Sequence, residues 1–254
     1  MELPINHFKH ALRKGQPQIG LWSNLTSHIS TEILADCGFD WLLLDMEHAP
    51  NELHNIVTQL QALKGSPSHP IVRAPWNDMV TFKRLLDLGT QSLLVPYIET
   101  EQEARDAVSF TRYPPQGVRG YAAASRASGY GRIKNYAHHC AEELCLLLQV
   151  ETTLGVANLE AIANVEGVDG VFIGPGDLSA AMGHLGNLTH PDVLAAIDKA
   201  IDTIRACGKA PGILTGDEAL AKHYLAKGCL FVAVGADGSL LRDSAQALSN
   251  RMKS

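Results

Sequence analysis

The sequence predicts an α/β protein built as a closed barrel of eight strand–helix units, on three observations. Eight short β-rich runs recur along 254 residues, apolar residues at three- and four-residue spacing fill the stretches between them, and glycines placed to end helices stand shortly before several runs. Eight such units in this length match a (β/α)8 TIM barrel in number and size. An open doubly wound sheet would usually have fewer strands and often a G-x-G-x-x-G turn after the first. Here the first run leads into Leu21-Trp22-Ser23-Asn24 instead. No linker-like composition shift, low-complexity tract or helical repeat divides the chain, so 1–254 reads as one barrel domain.

In chain order the expected strands are Gln18–Trp22, Trp41–Leu44, Ile71–Arg73, Ser92–Val95, Leu144–Val150, Gly170–Ile173, Gly212–Leu214 and Leu230–Val234. Several are apolar without alternation, as strands covered on both faces should be. Ile33, Leu34 and Cys37 form one helical stripe; Val193, Ala196, Ile197, Ala200, Ile201 and Ile204 form another. Thr100 with Glu103, and Thr215 with Glu218, have capping-box spacing. Pro191 fits a first helical position, and Gly38, Gly89, Gly208 and Gly228 fit helix ends. The connection from Pro96 to Glu143 is long, and a loop of that length is expected to be functional or interfacial, covering the top of the barrel. A last helix is expected over Ser239–Met252, with Leu240, Leu241, Ala245 and Leu248 on one stripe.

Composition narrows the function classes. A formal charge of −6 with scattered Lys and Arg argues against nucleic-acid binding, which needs a basic face. No run approaches the roughly 18 apolar residues that cross a bilayer, and Met1–Gly15 lacks the apolar core of a signal peptide, so no membrane partner and a cytoplasmic location are expected. Cys37, Cys140, Cys145, Cys207 and Cys229 are odd in number and contain no CxxC pair, which makes reduced thiols the expectation.

The chemistry collects where strands end. Active sites of such barrels lie at the carboxyl ends of the strands. Those ends offer Trp22 and Ser23; Asp45, Glu47 and His48; Arg73; Gln149 and Glu151; the Gly174–Asp177 turn; and Leu214 with Thr215. Glu151 and Asp177 come from neighbouring strands and suit a hard divalent cation such as Mg²⁺ or Mn²⁺, with Co²⁺ as a further option; a simple salt-bridged pair is the plain alternative. No His or Cys adjoins either, against a zinc site of the ordinary kind. His48 could serve as a base oriented by Asp45 or Glu47, or merely cap the following helix. Arg73 could grip a carboxylate or a developing enolate, or only pair with Asp45 or Glu47. No lysine projects from a strand end, which disfavours Schiff-base chemistry. The set describes a site that handles the carbon–carbon bond next to a pyruvate enolate, with no organic cofactor.

These residues, with Gly20-Leu21-Trp22, Phe39–Pro50, Val72-Arg73, Leu85–Pro96, Arg112–Gly120, Gln149–Glu151, Gly167–Ser179, Gly208–Leu214 and Phe231–Gly235, closely resemble the HpcH/HpaI family of metal-dependent (class II) pyruvate aldolases over nearly the whole chain. The resemblance implies a phosphoenolpyruvate/pyruvate-type barrel. It also implies reversible retro-aldol cleavage of a 4-hydroxy-2-oxo acid, best 4-hydroxy-2-oxoheptane-1,7-dioate from aromatic-compound breakdown, to pyruvate and an aldehyde, succinate semialdehyde. By the same resemblance His48 is the base, Arg73 stabilises the enolate, and Glu151 and Asp177 hold the metal. Gln149 and the backbone of Gly176 and Asp177 bind pyruvate; Trp22 and Leu214, offered by their strand ends, are further candidates for substrate contact, though Leu214–Gly216 departs from the family pattern. Asp87 matches an aspartate that raises the basicity of the histidine. Yet Asp87 closes the helix before the fourth strand, at the lower rim, so either that boundary lies elsewhere or, the favoured expectation, Asp87 reaches a neighbouring subunit's site; a surface aspartate at a helix end is the plain alternative. The resemblance further implies a homohexamer, a trimer of dimers with exchanged C-terminal helices.

Met46 stands where the family usually has glycine, and Gly176 where alanine is common. Aldolases of 2-keto-3-deoxy-L-rhamnonate or 5-keto-4-deoxyglucarate are the nearest alternatives. A carbon–carbon lyase of acyl-CoA substrates is more distant, and a non-catalytic oxo-acid sensor or scaffold is the alternative outside enzymes.

Overall fold

The computed structural model describes residues 1–253. The chain opens with helix α1 (His7–Arg13) and strand β1 (Gln18–Ser23), then α2 (His28–Ala35), β2 (Trp41–Asp45), α3 (Leu53–Ala62), β3 (His69–Arg73), α4 (Met79–Asp87) and β4 (Ser92–Val95). It continues through α5 (Glu101–Phe110), the single turn α6 (Tyr136–His139), β5 (Cys145–Val150), α7 (Thr153–Ala157), α8 (Leu159–Ala163), β6 (Gly170–Ile173) and α9 (Pro175–Ala181). The last elements are α10 (Pro191–Ala206), β7 (Ala210–Leu214), α11 (Glu218–Lys227), β8 (Phe231–Ala236) and α12 (Asp237–Lys253). The strands pair in chain order and close into an eight-stranded barrel, β8 returning to β1 in parallel. All eight expected strands form, with ends shifted by at most two residues.

Alternation along each strand divides the apolar residues between two cores. Leu42, Leu44, Val72, Leu146, Leu148, Val150, Val171, Ile173, Ile213 and Val232 face outward and meet the helices. Trp22, Trp41, Leu43, Ile71, Cys145, Leu147, Phe172, Phe231 and Ala233 fill the barrel. The lower interior is aromatic: Trp41 and Phe231 lie 6.2 Å apart between ring centroids, and Phe8 of α1 packs on both at 6.1 and 6.0 Å. Two glycines make the room. A Cβ at Gly20 would lie 2.1 Å from the Trp41 indole, and one at Gly212 2.2 Å from the Phe231 ring. Helix α1, set in a stretch that reads as polar, thus closes the amino-terminal end of the barrel. Asn6 caps it, accepting from the Lys9 amide, while Phe8 and Leu12 are its buried pair.

Three local expectations change. The long connection after β4 does not cover the top. Its first part passes there, but α5 carries the chain back down, so 111–143 begins and ends at the lower rim. There Arg119 pairs with Asp87 at 3.2 Å and the Ala127 amide donates to the Asp87 carbonyl. The cap of α11 is Asp217, which accepts from the Ala219 and Leu220 amides; Thr215 instead accepts from the Asp217 amide, so Thr215 and Glu218 form no box. The final helix begins at Asp237, whose carboxylate ties down Ser23 and the amides of Asn24 and Leu25. The Thr100–Glu103 capping box does form.

Candidate active site

The alternation that fills the barrel also builds its mouth. In β2 the inward residues are Trp41, Leu43 and then Asp45; in β3 they are Ile71 and then Arg73; in β5 they are Cys145, Leu147 and Gln149, with Glu151 next in phase. Each inward row turns from apolar to polar at its carboxyl end. Asp45, Arg73, Gln149 and Glu151 are each 6 % exposed or less. Buried charge of this density needs partners, and the two sides of the mouth find them differently.

On the β2–β3 side the charges are matched. Asp45 and Arg73 sit opposite one another in the ladder. Arg73 Nε donates to Asp45 Oδ1 at 2.8 Å and Nη2 donates to Oδ2 at 2.6 Å. Asp45 also accepts from the Trp22 indole N–H at 3.3 Å and from the Glu47 and His48 amides. Burial works against its charge, but the Arg73 guanidinium and the two amides hold its carboxyl below the usual range. Arg73 Nη1 approaches Glu47 Oε2 at 2.7 Å as an ion pair rather than an aligned hydrogen bond, and the guanidinium lies 5.1 Å from the Trp22 ring centroid. A guanidinium has five N–H groups. These contacts engage three, so pairing with Asp45 and Glu47 does not exhaust its donors. His48 stands at the rim with its side chain 65 % exposed, Nε2 3.9 Å from Glu47 Oε2. Glu47 is therefore the carboxylate beside the ring, while Asp45 holds the backbone.

On the β5–β6 side no cation neutralises the carboxylates. Glu151 Oε2 accepts from Gln149 Nε2 at 2.6 Å, and Oε1 accepts from the Tyr97 amide at 2.9 Å. Burial, and the negative charges of Glu47 and Asp177, outweigh those bonds and push Glu151 up to about 7. Glu47 is raised too, by burial and then by Asp45 and Asp177 against the pull of Arg73. Gln149 Oε1 is buried with no partner. Glu151, Asp177 and the orphaned amide oxygen offer oxygen donors alone, the chemistry a hard divalent cation prefers, and Glu47 adds repulsion from across the mouth. Gly174 permits the arrangement: a Cβ there would lie 2.5 Å from Glu151 Oε2. At Gly176 a Cβ would meet nothing within 4 Å. Asp177 lies in the first turn of α9, which Gly174 and Pro175 start.

Of the expected residues, Trp22, His48, Arg73, Gln149, Glu151, Gly176, Asp177 and Leu214 all stand at this one end of the barrel, Leu214 half-buried at the end of β7. Asp87 does not. It ends α4, where the chain returns to the start of β4, so the barrel places it at the opposite rim, paired with buried Arg119. Sequence reasoning missed the nearness of Glu47 to Glu151 and Asp177, and it missed Tyr97. The Tyr97 backbone adopts a left-handed φ of 59°, which turns its N–H toward Glu151; nothing in the residue type signals it.

The HpcH/HpaI aldolase/citrate lyase family model matches residues 18–244. A 4-hydroxy-2-oxo-heptane-1,7-dioate aldolase of Salmonella heidelberg (strain SL476) is 56% identical over 247 residues, covering 97% of this chain and 94% of that protein. The crystal structure of an HpcH/HpaI aldolase/citrate lyase family protein from Burkholderia cenocepacia J2315 superposes with a TM-score of 0.94 at 41% identity, covering 97% of this chain and 99% of the other. An HpcH/HpaI aldolase from Desulfitobacterium hafniense DCB-2 superposes with a TM-score of 0.90 at 26% identity, covering 96% of each chain. The chain belongs to the HpcH/HpaI aldolase/citrate lyase family.

Proposed function

We propose that the protein is a divalent-metal-dependent aldolase that reversibly cleaves a 4-hydroxy-2-oxo acid, 4-hydroxy-2-oxoheptane-1,7-dioate in the first instance, to pyruvate and succinate semialdehyde. The observation that carries the reading is the buried Glu151 carboxylate, repelled by Glu47 and Asp177 with no cation beside it, in the same barrel mouth as Arg73. The substrate follows from the relative 56% identical over nearly the whole chain.

Glu151 and Asp177 would hold the cation, with Gln149 fixing the Glu151 carboxylate through its amide nitrogen. Bound there, a divalent cation supplies Lewis-acid polarisation of the 2-oxo group. Arg73 offers its remaining N–H groups to the oxygen that becomes negative, rigidly, since Asp45 clamps the other edge of the guanidinium. His48 accepts the proton of the 4-hydroxyl, directly or through an ordered water, with Glu47 Oε2 3.9 Å from its Nε2. The C3–C4 bond then breaks, the aldehyde leaves, and carbon three takes a proton to give pyruvate. The Gly176 and Asp177 amides, opening α9, suit the carboxylate of the oxo acid. Trp22 and Leu214 wall the pocket.

Asp87 acts in this reading on a neighbouring subunit's His48, within a homohexamer. Helix α12 supports that assembly, because its apolar residues are not covered within the chain: Leu240 is 49 % exposed, Leu241 62 % and Leu248 54 %. Among the described residues no helix is long and apolar enough to cross a membrane, which is consistent with a cytoplasmic enzyme.

The test is exchange of the pyruvate methyl protons in D₂O, followed by NMR. Rapid exchange with Mn²⁺ or Mg²⁺, loss of it in EDTA and loss in Arg73→Ala are expected. Exchange that survives thorough chelation would overturn the metal mechanism. Condensation of pyruvate with succinate semialdehyde should be faster than with polyhydroxylated aldehydes, and the reverse preference would reassign the substrate. Light scattering at the mass of six chains is the expected assembly result.

A further inference from the structure

The loop joining α9 to α10 carries a group of side chains that the aldol chemistry leaves unused. The chain leaves α9 through Gly183 in the left-handed region (φ 81°), presents His184, and enters α10 at His190-Pro191-Asp192. The two imidazole rings lie face to face, 3.5 Å between centroids and 14° between planes. The Asp192 carboxylate stands against both, Oδ2 lying 3.8 Å from His184 Nε2 and 3.7 Å from His190 Nδ1. One ligating atom from each of the three residues falls within 4.8 Å of the other two.

Helix capping accounts for only part of this. His190 Nδ1 accepts from the Asp192 amide at 3.2 Å, which satisfies one exposed donor at the start of α10. That cap needs no second histidine. Among the described residues no hydrogen bond ties the His184 ring, although it is only 26 % exposed. The nitrogen that faces Asp192 Oδ2 is the same Nδ1, so a cation taking it would replace the Asp192 amide as the partner of that lone pair. Donor atoms around a tetrahedral ion with bonds near 2.0–2.1 Å stand about 3.3 Å apart. Rotation of the exposed Asp192 side chain, with small shifts of the two half-buried rings, closes the gap to that spacing. Two imidazoles and one carboxylate are a borderline donor set, unlike the oxygen atoms at the barrel mouth. Such a set ranks Zn²⁺, Ni²⁺ and Cu²⁺ well above Mg²⁺ or Mn²⁺.

We propose that His184, His190 and Asp192 form a second divalent-cation site on the rim of the barrel, selective for imidazole-preferring ions and separate from the carboxylate site in the mouth. Three protein ligands leave one tetrahedral position to water. An ion there would tie the end of α9 to the start of α10 and so stiffen the segment that follows Asp177.

The experiment uses the whole protein with the mouth site saturated by Mg²⁺. Titration with Zn²⁺ by calorimetry should show one tight site. His184→Gln and His190→Asn, the latter keeping an N-capping side chain, should each weaken it at least tenfold while leaving Mg²⁺ binding unchanged. Cu²⁺ added under the same conditions should show hyperfine coupling to two nitrogens by EPR, reduced to one in either variant. Two nitrogens also exclude His48 as the origin, since the mouth offers a single imidazole. Unchanged Zn²⁺ affinity in both variants, or a Cu²⁺ spectrum with one nitrogen or none in the parent protein, would overturn the proposal.

Discussion

The two sides of the barrel mouth contain similar residues in opposite electrostatic states. At β2–β3, Asp45 is buried but clamped by Arg73 and two amides, and its carboxyl is held below the usual range. At β5–β6, Glu151 is equally buried, has only the Gln149 amide and the Tyr97 N–H, and faces further negative charge, so it rises to about 7. The first side is complete within the chain. The second has no cation within the chain, and in the proposed function a bound divalent ion supplies it. Strain of this kind at a functional site is expected where binding, rather than folding, supplies the missing partner.

The largest effect should come from breaking the completed side. Arg73→Met leaves Asp45 and Glu47 buried without a cation. Loss of one partner of a buried pair costs about 3–5 kcal/mol. Thermal unfolding should therefore fall by roughly 6–15 °C for a chain of this size, with methyl exchange lost as well. A variant with unchanged unfolding temperature would show that Asp45 finds another partner or protonates at little cost.

Glu151→Gln should do the reverse. In EDTA it removes a carboxylate whose charge is disfavoured, and the shift from 4.5 to about 7 corresponds to roughly 3 kcal/mol at most above pH 7. The variant should thus match or exceed the parent in stability without metal, yet lose the stabilisation that Mn²⁺ gives the parent. Calorimetric scans with and without Mn²⁺ measure both. A metal-free Glu151→Gln protein that unfolds well below the parent would mean that the carboxylate is satisfied within the chain.

Opposite shifts also predict opposite pH responses. For Glu151 the folded value is raised, so between pH 4.5 and about 7 the folded chain holds a proton that the unfolded chain has released. Metal-free stability from this group falls as pH rises through that window, and the full cost applies above it. For Asp45 the folded value is lowered, so its contribution is present above the ordinary value of 3.8 and disappears as pH falls through the folded value. The stability gap between Glu151→Gln and the parent in EDTA should therefore be near zero at pH 4.5 and widen to pH 8. A gap independent of pH would remove the raised value. Apparent Mn²⁺ affinity should drop toward tenfold per pH unit below 7, since proton and ion compete for one carboxylate.

The barrel and most of its mouth are legible in the sequence for one reason. Strands covered on both faces must be apolar throughout, so a polar residue such as Asp45, Arg73 or Gln149 stands out where a run ends. What could not be read depends on backbone direction or on charges meeting across strands. Tyr97 matters through its N–H and a left-handed φ. Glu47 is visible as a residue, but its repulsion with Glu151 exists only once the barrel closes. The path of 111–143 depended on where α5 ends, and α1 was hidden because a plug needs only Phe8 and Leu12 on an otherwise polar segment. Asp87 was read correctly as the end of a helix, and that position is why its proposed role needs a second subunit.

The smallest effects separate two neighbouring glycines and test how tightly the unneutralised side is built. Gly174→Ala places a Cβ 2.5 Å from Glu151 Oε2 and 2.8 Å from Glu151 Cβ, closer than real contacts allow. The carboxylate must move away from the Gln149 amide and the Tyr97 N–H. Losing those two bonds, at about 1 kcal/mol each, should weaken Mn²⁺ binding roughly tenfold or more. Gly176→Ala meets nothing within 4 Å and keeps the backbone amide to which the proposed function gives the oxo acid. The change should alter stability by less than about 0.5 kcal/mol and pyruvate affinity by less than about twofold. Mn²⁺ titration by EPR and pyruvate titration by calorimetry on the two variants check the contrast. Equal behaviour of the two variants would mean that Glu151 has room to shift, and that its position against Gly174 is not what holds the ligand set together.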